Sequence, residues 1–476
     1  MGLFKVLSLH FVASAFLLTG LACSSSDGGS GGGGGGRPPN VSGGTAAGGG
    51  GRSNTGGSGT GGSGTSGTAS SNGGAVSGGT SSGGTSSGGT SSGGTSSGGG
   101  IGNPGGGSAG ASGGLTGSAG AAGGASGGNG ASGGSNEAVD ARALVKALGV
   151  GTNIGNTLEN TATWETGWGQ PLITQAFVNG LASRGLKTVR VPVAWDTYAQ
   201  NGVIDAAKMD RVKQVVSWIT GAGMYAIVNI HWDGGWINNE KGSPAFALTN
   251  EIKTKFASYW KQIGTAFSAV GHKLILEGMN EEGSWTTDGQ KYGTPNIPPL
   301  NEMNQLFVTT VRAQGGYNAT RALLIAGFNT DIDKTCVSAF TVPTDPAGTG
   351  KLFLSIHFYT PWTFTIKETN DANDTQPLST TWGSAAEKKT LEDLFTKLGS
   401  CSTDKKLPVI LGEFGVTRGT APNVREAASR VAWMTAVAKA STTRGIVPVL
   451  WDTGSEISRV DGAFSTEFQQ VFDAVK

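Results

Sequence analysis

Between Phe16 and Trp164 the chain has no aromatic residue, and before Glu137 its only charged side chains are Lys5, Asp27, Arg37 and Arg52. The stretch is mostly Gly, with Ser, Thr and Ala. Such a segment has almost nothing to bury and does not offset the conformational entropy lost on ordering. A packed core must therefore come from residues 137–476, where all 12 Trp lie. That is one domain of about 340 residues, within the span of an α/β barrel. A formal net charge of +1 gives no electrostatic footprint for nucleic acid or an anionic membrane. Cys23, Cys336 and Cys401 are too few for a disulfide scaffold. No Cys or His pair has metal-ligand spacing, so no metal and no cofactor is expected.

Residues 1–22 are expected to be a signal peptide. Lys5 precedes an apolar run from Val6 through Leu18, too short to span a bilayer comfortably. Leu21-Ala22-Cys23 resembles a bacterial lipoprotein signal, which makes Cys23 the lipidation candidate. Gly20 stands where that pattern prefers Leu, and the alternative is ordinary cleavage with Cys23 incidental. Residues 23–136 are expected to be a disordered linker. From Gly79 to Gly98 it repeats Gly-Thr-Ser-Ser-Gly, with no apolar position to stack. A flexible coil of about 110 residues spans roughly 60 Å r.m.s.. It is either a tether holding the domain off a cell surface or filler.

From Leu148 onward short β-branched runs alternate with helical stretches, as in βα units. Strands are expected at Gly149–Asn153, Thr188–Val193, Tyr225–His231, Leu274–Met279, Ala322–Ala326, Leu352–Phe358, Val409–Glu413 and Ile446–Trp451. Most are continuous apolar runs, as when both faces are covered. Eight such units give a (β/α)8 barrel. A doubly wound sheet would concentrate its site at one switch point. Here polar residues end many strands at once: Arg190, His231, Asn280-Glu281, His357, Glu413 and Asp452.

Glu281 and Glu413 each end a run that should be buried strand. A lone buried carboxylate is costly, so such positions need a reason. A structural ion pair at the rim is one. The other is chemistry: cleaving a glycosidic bond takes two carboxyls facing each other, and strands four and seven lie across an eight-stranded ring. Glu277 competes for the acid role. On an extended strand it lies about 13 Å below Glu281, deep in the barrel, and is better read as structural. Glu282 should face away from the cleft.

These residues resemble glycoside hydrolase family five, and within it the subfamily-four endoglucanases and xyloglucanases. The resemblance covers nearly all of residues 140–476. It rests on Asn153-Ile154-Gly155-Asn156-Thr157-Leu158-Glu159, Glu165-Thr166-Gly167-Trp168-Gly169, Thr188-Val189-Arg190-Val191-Pro192-Val193, Glu277-Gly278-Met279-Asn280-Glu281 and Gly412-Glu413-Phe414-Gly415. It implies a retaining endo-β-1,4-glucanase acting on a β-glucan. From its N-terminus the protein is expected to be exported, as a cell-surface lipoprotein or secreted, and it is expected to be a monomer. By the resemblance Glu281 is the acid/base and Glu413 the nucleophile. Arg190 lies beside the nucleophile, His231 in the glycone pocket, and Asn280 on the sugar 2-OH. His357 and Tyr359 form the strand-six pair, with the Tyr hydroxyl on the nucleophile. Trp451 is the platform under the sugar. One departure is Glu282, where the family usually has Pro.

Trp168, Trp232, Trp236, Trp285 and Trp362 lie in or near strand-end loops and are candidate subsite aromatics, each equally readable as core. Trp195, Trp218, Trp260 and Trp433 fall on or beside helix patterns and are expected in the core. The competing functions are another retaining glycanase of the same clan, such as a mannanase or β-1,3-glucanase, and a non-catalytic glycan-binding surface lipoprotein. The latter would need Glu281 or Glu413 replaced. Cys336 and Cys401 are expected to be two separate buried thiols, with a disulfide as the alternative.

Overall fold

The computed structural model of the chain describes residues 140–289, 293–370 and 375–476. The expectations of a signal peptide at 1–22, lipidation at Cys23 and a linker at 23–136 fall outside the described residues. Among the described residues no helix is long and apolar enough to cross a membrane.

Eight parallel strands close into one barrel. They are β1 (Gly151–Asn153), β2 (Thr188–Val191), β3 (Tyr225–Asn229) and β4 (Leu274–Glu277), then β5 (Leu323–Ala326), β6 (Leu352–Phe358), β7 (Val409–Phe414) and β8 (Val447–Leu450). Each pairs with its sequence neighbours, and β8 returns to β1 with Gly151 opposite Val449. All eight expected strands are present. Several end earlier than expected, so His231 and Trp451 lie just past β3 and β8. A two-stranded hairpin, Ala199–Gln200 with Val203–Ile204, was not anticipated.

The helices start where polar side chains cap them. Asp140 accepts from Arg142 N–H at the head of α1 (Ala141–Leu148). Thr174 caps α2 (Gln175–Ser183), and Asp205 caps α3 (Ala206–Gly221). Thr249 caps α4 (Asn250–Ala266), whereas α5 (Ile297–Arg312) begins with Pro in its first turn. Ser384 and Glu387 form a reciprocal capping box on α6 (Ala385–Asp404). The last two are α7 (Ala427–Thr442) and α8 (Thr466–Asp473). One crossover departs from the pattern: β5 reaches β6 through a one-turn helix, Ile332–Thr335, with no long helix between. At that place Cys336 is disulfide-bonded to Cys401 of α6, Cα to Cα 5.6 Å. The expectation of two free thiols is corrected. The two crossovers that carry them lie side by side, close enough for a bond that spacing in the sequence does not reveal.

Side chains alternate across each strand. Val189, Ala226, Val228, Leu274, Leu276, Leu354 and Leu411 pack outward against the helices. Ile227, Ile275, Leu324, Phe353, Ile410 and Val449 fill the barrel, and α1 plugs its floor with Ala141 and Leu148. Two residues further along, all but one of these strands carry a polar or small residue, Asn229, Glu277, Ser355 and Gly412 among them; β8 leads into Trp451. The inner layer thus changes from oil to polar network on the way to the C-terminal rim.

Candidate active site

Arg190 organises the network. It is fully buried on β2. Its Nε donates to Glu277 Oε2 at 2.7 Å, Nη1 to Asn153 Oδ1 at 3.0 Å and Glu413 Oε1 at 2.8 Å, and Nη2 to Asn280 Oδ1 at 2.8 Å. Burial alone would pull the guanidinium down, but Glu277 and Glu413 outweigh it and hold the charge. Glu277 also accepts from Ser355 Oγ at 2.8 Å. It is sealed off as expected, yet it shares a guanidinium with Glu413 and so belongs to the support beneath the site. Asn153 gives its amide to the carbonyls of Gly412 and Leu450 at 2.8 and 3.1 Å, which turns its oxygen toward Arg190.

Glu413 owes its direction to an irregularity in β7. Ile410 points into the barrel, so strict alternation would send Glu413 outward. Between Ile356 and His357 the register with β6 slips, and His357 pairs with Glu413 rather than Gly412. A bulge of this kind re-aims the side chain that follows it. Gly412 makes room for it: a Cβ there would lie 3.0 Å from His357 Nε2 and 3.3 Å from Ser355 Oγ. Glu413 then accepts from Arg190 on one oxygen and from the Tyr359 hydroxyl, at 3.0 Å, on the other.

Glu281 faces it. His357 Nδ1 lies 2.7 Å from Glu281 Oε1 and 3.7 Å from Glu413 Oε2. One oxygen of each carboxyl and the imidazole nitrogen lie within 4.8 Å of one another. Burial pushes Glu281 up to about 7, and Arg190 opposes this only in part. Glu413 is also raised by burial, against the downward pull of His357, Arg190 and the Tyr359 hydrogen bond. Arg190 and the Tyr359 hydroxyl favour the charged form of Glu413, and burial outweighs them. Burial brings His357 down to about 4, so its ring is neutral. Tyr359 is pushed well above its ordinary value by burial and by Glu413, and stays a donor.

The rim aromatics divide. Trp451 is half-buried and stacks on His231, centroids 5.7 Å apart with rings 5° from parallel. Trp168 and Trp232 are half-buried. Trp236 stands edge-on to Tyr259 and carries the Lys255 ammonium 4.6 Å above its ring. Trp362 carries Lys367 at 4.7 Å, and its indole N–H donates to Gln376. Trp285 is corrected: it is 1% exposed and offers no face to a ligand. Trp195, Trp260 and Trp433 are core as expected, while Trp218 is only half-buried. Glu282 is buried, and that burial is the chief cause that pushes it up to about 8.

Asn153, Asn229 and Ser355 were not singled out in the sequence. The signal was available: each is polar and sits in the inward register above an apolar or small inward residue.

A family model described as cellulase (glycosyl hydrolase family 5) matches residues 149–456. Endoglucanase A of Paenibacillus barcinonensis is 34% identical over 351 residues, covering 67% of this chain and 84% of that protein. The xyloglucan-specific endo-β-1,4-glucanase of Bacteroides ovatus is 33% identical, covering 66% of this chain and 64% of that one. Among solved structures, a GH5-4 broad specificity endoglucanase from an uncultured bovine rumen ciliate superposes with a TM-score of 0.62 at 32% identity. It covers 71% of this chain and 97% of its own.

Proposed function

This chain belongs to glycosyl hydrolase family 5, the cellulase family, and on that premise we propose that it cleaves β-1,4-glucosidic bonds within β-glucans by double displacement, with Glu413 as nucleophile and Glu281 as acid/base. A Glu413 oxygen attacks the anomeric carbon while the Glu281 proton passes to the departing glycosidic oxygen. That bond breaks and a glycosyl ester of Glu413 remains. Water then attacks the same carbon from the opposite face, giving its proton to Glu281 and freeing Glu413. Two inversions restore the original configuration.

The observation that carries this reading is the approach of the two carboxyls to within 4.8 Å. Retaining pairs lie roughly 5–5.5 Å apart and inverting pairs roughly 6.5–9.5 Å, with room for a water. The electrostatics agree. A proton donor needs a pKa near working pH, and Glu281 is pushed up to about 7. Burial raises Glu413 as well, but it is the carboxyl with a cation on one oxygen and a hydroxyl on the other, contacts that favour its charged form.

Asn280 and His231 are assigned to the hydroxyls of the sugar at the cleavage point and Trp451 to its apolar face. Trp168, Trp232, Trp236 and Trp362 are assigned to further subsites. Xyloglucan, mixed-linkage glucan and amorphous cellulose are the proposed substrates; the chain carries no second aromatic-rich module in residues 1–136 to hold a crystalline surface. The Cys336–Cys401 disulfide favours maturation in an oxidising compartment and supports export, with Cys23 as the proposed lipid anchor. Reducing-sugar release from a panel of β-1,4-glucans, β-mannan and β-1,3-glucan tests the specificity, and NMR of the first-formed anomer tests the mechanism. Release from β-glucans with β-product is expected. Inverted product, or activity confined to mannan, would sink the proposal.

A further inference from the structure

Asn229 is the last residue of β3 and is fully buried. Its carbonyl accepts from the Trp195 indole N–H at 2.8 Å. Its side-chain oxygen accepts from the Val193 backbone N–H at 3.2 Å. A backbone N–H can only donate, so this contact decides which end of the amide faces which way. The amide nitrogen is left pointing at His231 Nδ1, 3.2 Å away. An amide nitrogen can also only donate, so Nδ1 must be the bare, accepting nitrogen of the ring. In a neutral imidazole the proton then sits on Nε2.

Several features hold that ring still. The His231 backbone N–H donates to Val193 O at 2.9 Å, locking the end of β3 to the segment after β2. Trp451 lies parallel to the imidazole. The charged and titratable groups facing it are Arg190 from β2 and neutral His357 from β6. Burial, and then the Arg190 charge, keep His231 well below the ordinary histidine value, so it is neutral.

We infer that Asn229 is a positioning residue that fixes the tautomer of His231, so that the ring presents an Nε2–H donor, never a bare nitrogen, to the sugar in the cleft. This rests on the assignment of His231 to the glycone pocket. Its consequence is chemical: the group that meets His231 must be an oxygen acting as acceptor, leaving that hydroxyl free to donate elsewhere.

The test is nitrogen NMR of the full chain labelled at histidine. There are four His in all, and a His231→Gln spectrum identifies the signal of interest. The wild type is expected to show Nε2 protonated and Nδ1 bare without substrate. Asn229→Asp keeps the acceptor for Val193 but turns the other end into an acceptor too. It should move the proton to Nδ1 or protonate both nitrogens, and lower kcat/KM by roughly tenfold or more. A wild-type ring carrying its proton on Nδ1 overturns the inference even if the Asp variant does not fold. So does an Asp variant with an unchanged ring signal. Failure of the functional proposal looks different: the expected tautomer would be present in a protein that does not hydrolyse β-glucan.

Discussion

Glu413 lies within β7 with its side chain 7% exposed, gripped by Arg190 at 2.8 Å and by the Tyr359 hydroxyl at 3.0 Å. Glu281 lies four residues past the end of β4, 22% exposed, with His357 Nδ1 at 2.7 Å from its carboxyl. The difference matches the two tasks. A nucleophile must be fixed and charged: the strand fixes Glu413, and the buried Arg190 cation opposes the rise that burial causes. A general acid must give up a proton and regain it, so it needs access and a partner that does not commit it to either state. Neutral His357, touching the acid and close to the nucleophile, is such a partner.

Removing each carboxyl in turn should break this comparison most sharply. Glu413→Ala is expected to lose roughly 10⁴-fold or more in kcat on every substrate. Glu281→Ala should lose about 10²–10⁴-fold on glucan but far less on an aryl glucoside whose leaving group needs no proton. Azide should then trap the sugar with opposite anomeric outcomes: α-azide from Glu413→Ala and β-azide from Glu281→Ala. Near-normal glucan cleavage by Glu281→Ala would reverse the assignment.

The next effect comes from the bulge. Gly412→Ala puts a methyl 3.0 Å from His357 Nε2, so the ring or the strand must give. A displacement of that kind should lower kcat by roughly 10–100-fold while KM changes less. Crystallography of the variant should find His357 moved. Unchanged kcat would show that the two walls are less tightly coupled than their contacts suggest.

The smallest effect concerns protons rather than contacts. Glu282 is raised from 4.5 to about 8, and Glu281 and Glu159 from 4.5 to about 7, chiefly by burial. The folded protein holds protons there that the unfolded chain releases. Their contribution to stability is complete below the unfolded value of 4.5 and is lost as pH rises through about 7 to 8. The melting temperature should fall across that window. Glu282→Gln, which cannot ionise, should make the fall shallower, as read by calorimetry at several pH values.

Much of this was legible in the sequence because both of its signals are local. A strand buried on two faces must be an apolar run, so all eight could be found, and a polar residue closing such a run stands out. Arg190, His231, Glu281, His357 and Glu413 were found in that way. What stayed hidden depends on how strands meet. The bulge that turns Glu413 inward is a property of β6 and β7 together, and Gly412 alone does not announce it. The disulfide depends on two crossovers being neighbours. The burial of Trp285 depends on loops packing at the rim, where an aromatic residue in a loop reads the same whether it faces in or out. Glu277 was placed by an extended-strand ruler that stops applying at the end of β4.

The bond from Cys336 to Cys401 spans the stretch of chain that holds β6, His357, Tyr359 and most of α6. Within it, Thr369 and Asn370 and then Thr375, Gln376 and Pro377 are exposed. A protease cutting at the exposed Asn370 or Gln376 cuts inside a covalent ring. The clipped enzyme would remain one molecule, its two pieces joined through the cystine and its cleft still assembled. It should run as a single band without reductant, separate into two with it, and keep its activity until the bond is reduced and the protein warmed. The connection between β6 and α6 is then the place where a cut does the least harm.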